Sequence, residues 1–245
     1  MYIRKLYDMG TVIDVEHYYP GNYGAPGVKR QPKKKKTPEQ IERQNMTNRV
    51  KRLKRIILAN FKEGDWHLIL NYRPKDRPDF KEGKKQVKKF IDKVRQAFKK
   101  AGYVFKWIRV TEKGKKGHAL HHHLIIENIQ TDKLNVMQMI KKLWIYGNTM
   151  WINLYDDGEY LKLAEYLAKK ETKDEKEWES YSRSRNLIVP QPERRKMKRK
   201  CWPEEPEPKK GYYIIKDSIV NGTNPVTGYP YQHYSMRKIK KERAG

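Results

Sequence analysis

From residue 66 onward the apolar positions switch between two periods. Residues 66 to 72 alternate as a strand, and residues 81 to 101 then place Val87, Phe90, Ile91, Val94 and Phe98 at helical spacing. Residues 103 to 112 (YVFKWIRVTE), rich in aromatic and β-branched side chains, predict a second strand, and the turn residues at 113–117 (KGKKG) lead into a third at 118–127. A helix over 132–144 through Met137, Ile140 and Trp144 follows, then a short strand near 149–154 and a helix over 159–171. The order β-α-β-β-α-β predicts an α+β fold: the ferredoxin-like split βαβ, with a central antiparallel sheet and its helices on one face. The other face is expected to be open, and sheets of this kind often turn such a face to nucleic acid.

The flanks are patterned differently. Thr37-Pro38-Glu39-Gln40 reads as a helix start, with Thr as N-cap, Pro at the first helical position and Gln three residues after the cap. That N-terminal helix is expected to reach about Asn60, with Met46, Val50, Leu53 and Ile57 on one face and Arg43, Arg49, Arg52 and Lys54 among the rest, contacting DNA or simply solvated. Residues 1–36, rich in Tyr, Gly and Pro and ending in a lysine run, read as a basic arm with a short strand at 11–15. Residues 37–190 form the expected main domain. Residues 191–245 read as a C-terminal extension that packs back on the domain or contacts DNA, with a Pro- and Glu-rich linker at 201–210, a strand at 211–215 and a turn at 224–228.

Charge narrows the function. With 56 Lys and Arg against 29 Asp and Glu, the formal net charge of +27 calls for a polyanion, most commonly nucleic acid. The single cysteine, Cys201, excludes an internal disulfide and any Cys-rich zinc site. No apolar run reaches the roughly twenty residues of a membrane span, and the N-terminus lacks a signal-peptide core, so a cytoplasmic protein without a membrane partner is expected. No G-x-x-x-x-G-K-[ST] pattern occurs, so a helicase would have to be recruited.

The chemistry concentrates in HHHLII at 121–126. On a strand, His121 and His123 project to one side, and Leu120, His122, Leu124 and Ile126 to the other. If the hairpin closes symmetrically, Glu112 falls on the face of His121, opposite it or one pleat away, while a one-residue slip would hide it. Two imidazoles and a carboxylate suit Mn²⁺, Mg²⁺ or Zn²⁺. In the helix over 159–171, Tyr160, Leu163, Ala164 and Leu167 form the apolar stripe and Tyr166 lies off it, with Lys162, Lys169 and Lys170 three or four positions away. That phenol is better placed to meet a phosphate than to fill a core.

The run E-K-G-K-K-G-H-A-L-H-H-H-L-I-I at 112–126 resembles the metal-binding motif of HUH endonucleases, and Y-L-A-K at 166–169 resembles their Tyr-x-x-Lys nucleophile motif. GDWHLILNY at 64–72 and SRNL at 184–187 are similar to runs in rolling-circle replication initiators of bacterial plasmids and phages. Asn71 stands where that pattern has Thr, and His122 where it favours an apolar residue. The resemblance implies an HUH endonuclease palm over 37–190 with Mg²⁺ or Mn²⁺ on His121, His123 and Glu112. Tyr166 would be the nucleophile that forms a 5′-phosphotyrosine, with Lys169 assisting. Lys113, Lys115, Lys116, Lys162, Lys170, Arg183 and Arg185 are the candidate DNA contacts. The implied partners are single-stranded or hairpin origin DNA, a host helicase and a DNA polymerase. A conjugative relaxase or a single-strand transposase would use the same chemistry. A non-catalytic nucleic-acid binder would keep the histidines as structural groups, and a water-using nuclease would dispense with Tyr166.

Overall fold

The computed structural model describes residues 1–20, 27–32, 35–113, 119–154, 160–168 and 181–239. The chain begins with β1 (Tyr2–Asp8), β2 (Val12–Tyr18) and α1 (Pro38–Asn60), followed by β3 (Trp66–Asn71), α2 (Phe80–Lys100), β4 (Trp107–Lys113) and β5 (Leu120–Ile126). Next come the two-residue strands β6 (Gln130–Thr131) and β7 (Leu134–Asn135), α3 (Val136–Leu143), β8 (Thr149–Asn153), α4 (Leu161–Ala168) and β9 (Ser182–Arg183). It closes with β10 (Glu193–Met197), β11 (Tyr212–Ile214), β12 (Val220–Thr223) and β13 (Pro230–Lys238). The chain divides into two compact units, Met1–Ala59 with Val189–Gly245, and Asn60–Ile188.

In the unit of residues 60–188 the sheet order is β8-β3-β5-β4-β9, antiparallel at every pairing. The two strands joined through α2 are thus separated by β5. Leu68, Leu70, Leu120, Leu124 and Ile126 line one sheet face and share a buried core with Val87, Phe90, Val94 and Phe98 of α2 and Val136 and Ile140 of α3. Helix α2 starts where the Asp79 side chain accepts from the Glu82 amide, and α3 where Asn135 does the same for Gln138. Asp65 pins the start of β3, its carboxylate accepting from the amides of Lys62 and Asn128, so the GDW run serves as a structural corner. The opposite face is not uniformly open. Ile108, Val110 and Ile125 on it are buried, as expected of aliphatic side chains whose exposure to water costs free energy, whereas Met150 and Ile152 of the edge strand β8 are exposed.

The unit of residues 1–59 and 189–245 carries a six-stranded antiparallel sheet, β10-β1-β2-β13-β11 with β12 also on β13. Most of residues 2–18 therefore lie in two full strands where an arm was expected, and the tail supplies their partners. β1 and β2 pair with each other, but a lone two-stranded ribbon is marginal in water, and the strands that flank it, β10 and β13, lie far along the chain, so only the short strand at 11–15 was expected there. The start of α1 does match its sequence signature: the Thr37 amide donates to Gln40 Oε1 and the Gln40 amide to Thr37 Oγ1. Its later turns bury Val50, Leu53, Ile56 and Ile57, and also Lys54 and Arg55. Those two cations close on buried Asp14, Lys54 Nζ at 3.1 Å from Oδ1 and Arg55 Nε at 2.9 Å from Oδ2, while a second Arg55 nitrogen donates to Glu16 at 2.8 Å.

Candidate active site

The register of β4 against β5 builds the site. Glu112 lies directly opposite His121, and His123 opposite Val110, so Glu112, His121 and His123 project from the same face. Nε2 of His121 and Nε2 of His123 each lie 2.9 Å from the same Glu112 oxygen, Oε1. The ligand atoms of the three residues fall within 4.8 Å of one another, close enough to hold one metal ion. The Tyr166 hydroxyl on α4 donates to that same oxygen at 2.9 Å and lies 3.4 Å from His123 Nε2. The cluster is deep on the strand side and open on the helix side: His123 is 2% exposed, Glu112 5% and Tyr166 45%.

Electrostatics follow from this crowding. Burial alone would raise the Glu112 pKa, but hydrogen bonds to His121 and His123 outweigh it and hold the carboxyl far below its ordinary range. For His121, burial works against the charged form, yet the hydrogen bond to Glu112 leaves its pKa raised. Burial, then the hydrogen bond to Glu112, pushes the Tyr166 phenol up to about 12. The phenol is therefore neutral at neutral pH, and positive charge brought to the site would favour its ionisation.

One residue in the cluster carried no role in the sequence reading. Buried His67 of β3 lies with Nε2 2.9 Å from His123 Nδ1, the two rings stacked. Burial, then the neighbouring His123, lowers its pKa to about 4, so it is a neutral donor or acceptor according to its tautomer. When His123 offers Nε2 to an ion, its proton resides on Nδ1 and His67 accepts it in a hydrogen bond, fixing tautomer and ring orientation. The signal was parity: with Ile69 opposite His123, His67 sits one pleat along on the same face. His122 points the other way, fully buried between Tyr72 and Thr111, which lie 2.9 Å from its Nε2 and Nδ1 respectively.

The remaining candidates scatter. Lys162 is exposed on α4, one turn before Tyr166. Lys113 points to the helix-covered face, its Nζ 6.0 Å from the centre of the Phe80 ring. Arg183 pairs with Ile108, about 13 Å along β4 from Glu112 at ~3.3 Å per residue. Arg183 and Arg185 line a cleft of about 680 Å³ with Lys88, Arg95 and Lys99. In the SRNL run Ser184 exchanges hydrogen bonds with the Trp107 backbone and Asn186 donates to the Phe105 carbonyl, so the run ties its segment to the start of β4. Lys115, Lys116, Lys169 and Lys170 lie outside the described residues, as do most of the 113–117 turn and residues 171–179.

A family model described as Replication-associated protein ORF2 matches residues 65–174, a span that contains Glu112, His121, His123 and Tyr166. Over that span the chain is similar to replication-associated proteins, a likeness consistent with a rolling-circle replication initiator. No curated protein and no solved structure matches the chain. Among the described residues, no helix is long and apolar enough to cross a membrane.

Proposed function

We propose that this protein nicks and rejoins one strand of DNA by tyrosine attack, initiating rolling-circle replication of a plasmid or phage. The observation that carries the reading is the convergence of the Tyr166 hydroxyl, from a helix some fifty residues on, and the two imidazoles of β5 on one oxygen of Glu112, each at 2.9 Å. The strand order β8-β3-β5-β4, with helices α2 and α3 on one face, is the order expected of a ferredoxin-like HUH palm.

The donor set fits a divalent ion, two imidazole nitrogens and a carboxylate that accept positive charge, and Mg²⁺ or Mn²⁺ on Glu112, His121 and His123 is the reading we adopt. Bound there, such an ion supplies positive charge that offsets the scissile phosphate and eases ionisation of the phenol. The chain's own groups do the rest. Glu112 orients the Tyr166 hydroxyl by accepting its hydrogen bond, and His67 holds the His123 ring. The phenolic oxygen attacks phosphorus, the bond from phosphorus to the 3′ oxygen breaks, the phenolic proton leaves, and the departing 3′ oxygen takes up a proton. A 5′-phosphotyrosine and a 3′ hydroxyl result, and the reverse attack rejoins the strand without ATP. Lys169 assists in this reading, and Lys162 and Arg185 contribute phosphate contacts. The substrate is single-stranded or hairpin origin DNA, with a host helicase and polymerase acting in the cytoplasm.

The test is incubation with a pool of 3′-labelled single-stranded oligonucleotides and Mn²⁺, resolved on a denaturing gel. The expected outcome is a labelled covalent adduct that Tyr166→Phe abolishes. No adduct from any sequence overturns the reading, and cleavage that persists in Tyr166→Phe without an adduct assigns a water nucleophile instead.

A further inference from the structure

Helix α1 has two unlike halves. Residues 50–58 are mostly buried, whereas residues 38–45 are exposed on every side. A helical half that packs little apolar surface is only marginally stable by itself, yet the side chains it displays are far from arbitrary. Gln40, Arg43, Gln44, Thr47 and Asn48 stand at positions i, i+3, i+4, i+7 and i+8, so they form a single stripe of hydrogen-bonding groups.

That stripe faces a cleft of about 730 Å³, with Lys5, Tyr18 and Tyr231 of the sheet also lining it. Two features of the sheet mark the cleft as a place for an anion. Along the β10–β1 pair, Lys5 lies directly opposite Arg194, and like charges so placed repel. Lys5 and Arg194 share the face that forms the cleft, and Lys196 joins them one pleat away. Glu16, opposite Lys5 on β2 and also lining the cleft, accepts from Arg55 at 2.8 Å, so its one charge is divided between Arg55 and the cleft cations. Lys5 Nζ stands 4.7 Å from the centre of the Tyr18 ring, so cation and aromatic face are presented together.

Cations for phosphates, tyrosine rings for base faces, and amides that both donate and accept for base edges are the complement of an unpaired polynucleotide. The cleft is of the size of a small-molecule pocket, about 300–1,000 Å³, which suits a few unpaired nucleotides and excludes a duplex. We infer that the α1 cleft is a second nucleic-acid site, which holds unpaired DNA apart from the His-Glu-Tyr cluster. This rests on the reading that the protein acts on single-stranded DNA, but not on the chemistry of Tyr166.

The test uses the full chain carrying Tyr166→Phe, so that binding is read without covalent capture and stands whether or not an adduct is ever seen. Anisotropy of a labelled mixed-sequence single strand is measured across a salt series, against a blunt duplex and an RNA strand of the same sequence. Adding Arg43→Ala is expected to weaken single-strand binding about tenfold and to reduce the slope of log affinity against log salt by about 0.7. Asn48→Ala is expected to weaken binding about threefold with an unchanged slope. Arg52→Ala removes the same charge from an exposed position that does not line the cleft, and is expected to change affinity about twofold or less. Because Arg43 and Asn48 are exposed, folding is not at stake, and a melting curve checks it. Equal losses from Arg43→Ala and Arg52→Ala overturn the inference. So does a duplex or RNA bound as tightly as the DNA strand and equally weakened by Arg43→Ala.

Discussion

Each unit buries an acid beside basic side chains, Asp14 in one and Glu112 in the other, and the two are treated in opposite ways. Asp14 faces Lys54, Arg55 and the Ser235 hydroxyl, which donates to it at 2.8 Å. Burial disfavours its charge, but Lys54 and Arg55 overcome that and hold its pKa far below the ordinary carboxylate range. Its two nearest charged partners are an ammonium and a guanidinium, at 3.1 and 2.9 Å, with His233 Nε2 farther off at 4.0 Å. Glu112 is met by two imidazoles and a phenol, each of which can give up a proton or turn to another partner. The first is an ion-pair cluster, and the second brings three ligand atoms within 4.8 Å of one another, close enough to hold one metal ion. Depth of burial does not separate a structural acid from a reactive one, whereas the lability of its neighbours does.

The sharpest way to break this comparison is to remove each acid in turn. Glu112→Gln keeps the shape and is expected to reduce adduct formation by about 10³-fold or more, while denaturant unfolding shifts little. Asp14→Ala is expected to cost about 3–5 kcal/mol of stability, because it strands two buried cations, with adduct formation per folded molecule unchanged. If Glu112→Gln lost as much stability as Asp14→Ala, the distinction would collapse. A smaller effect is expected at His67. His67→Phe keeps a ring but no acceptor for His123, and should weaken Mn²⁺ binding about 10–100-fold by calorimetry without altering the fold.

The smallest effect is in the pH dependence of stability. Because the folded-state pKa of Asp14 is depressed, its contribution is fully present above the unfolded value of about 3.9 and is lost as pH falls below it. In that window the unfolded chain binds the extra proton, so stability rises with pH by up to about 1.4 kcal/mol per unit from this one group. Asp14→Asn should flatten the acid limb of the unfolding curve, and an unchanged limb would mean that other carboxylates set it.

What was legible in the sequence was local. The side-chain alternation of a strand put His121 and His123 on one face and His122 with Leu120 and Leu124 on the other, and the observed core agrees. Hairpin closure placed Glu112 beside His121, since few residues intervene and register is pinned at once. The inward positions of α2, from Val87 to Phe98, followed from helical spacing. What escaped was long-range. The partner of His123 sits on β3, and His67 gains meaning only from a register that sequence does not state. Strands β1 and β2 are flanked by β10 and β13, which lie far along the chain, so the segment was expected to be an arm with one short strand at 11–15. Lys54 was expected to contact DNA or face solvent, because nothing nearby announced the buried acid that it and Arg55 serve.

That long-range pairing has a consequence for how the protein is made. Residues 60–188 are contiguous, so their strands and core helices have all been synthesised before β10 has left the ribosome. The sheet around Asp14 needs β13, whose last residue is Lys238. During translation, therefore, the unit that holds the His-Glu-Tyr cluster has every strand it needs while β1 and β2 still wait for most of theirs. A chain stopped shortly after residue 188 would retain the four groups that meet at Glu112 and lack the sheet partners of its own N-terminus.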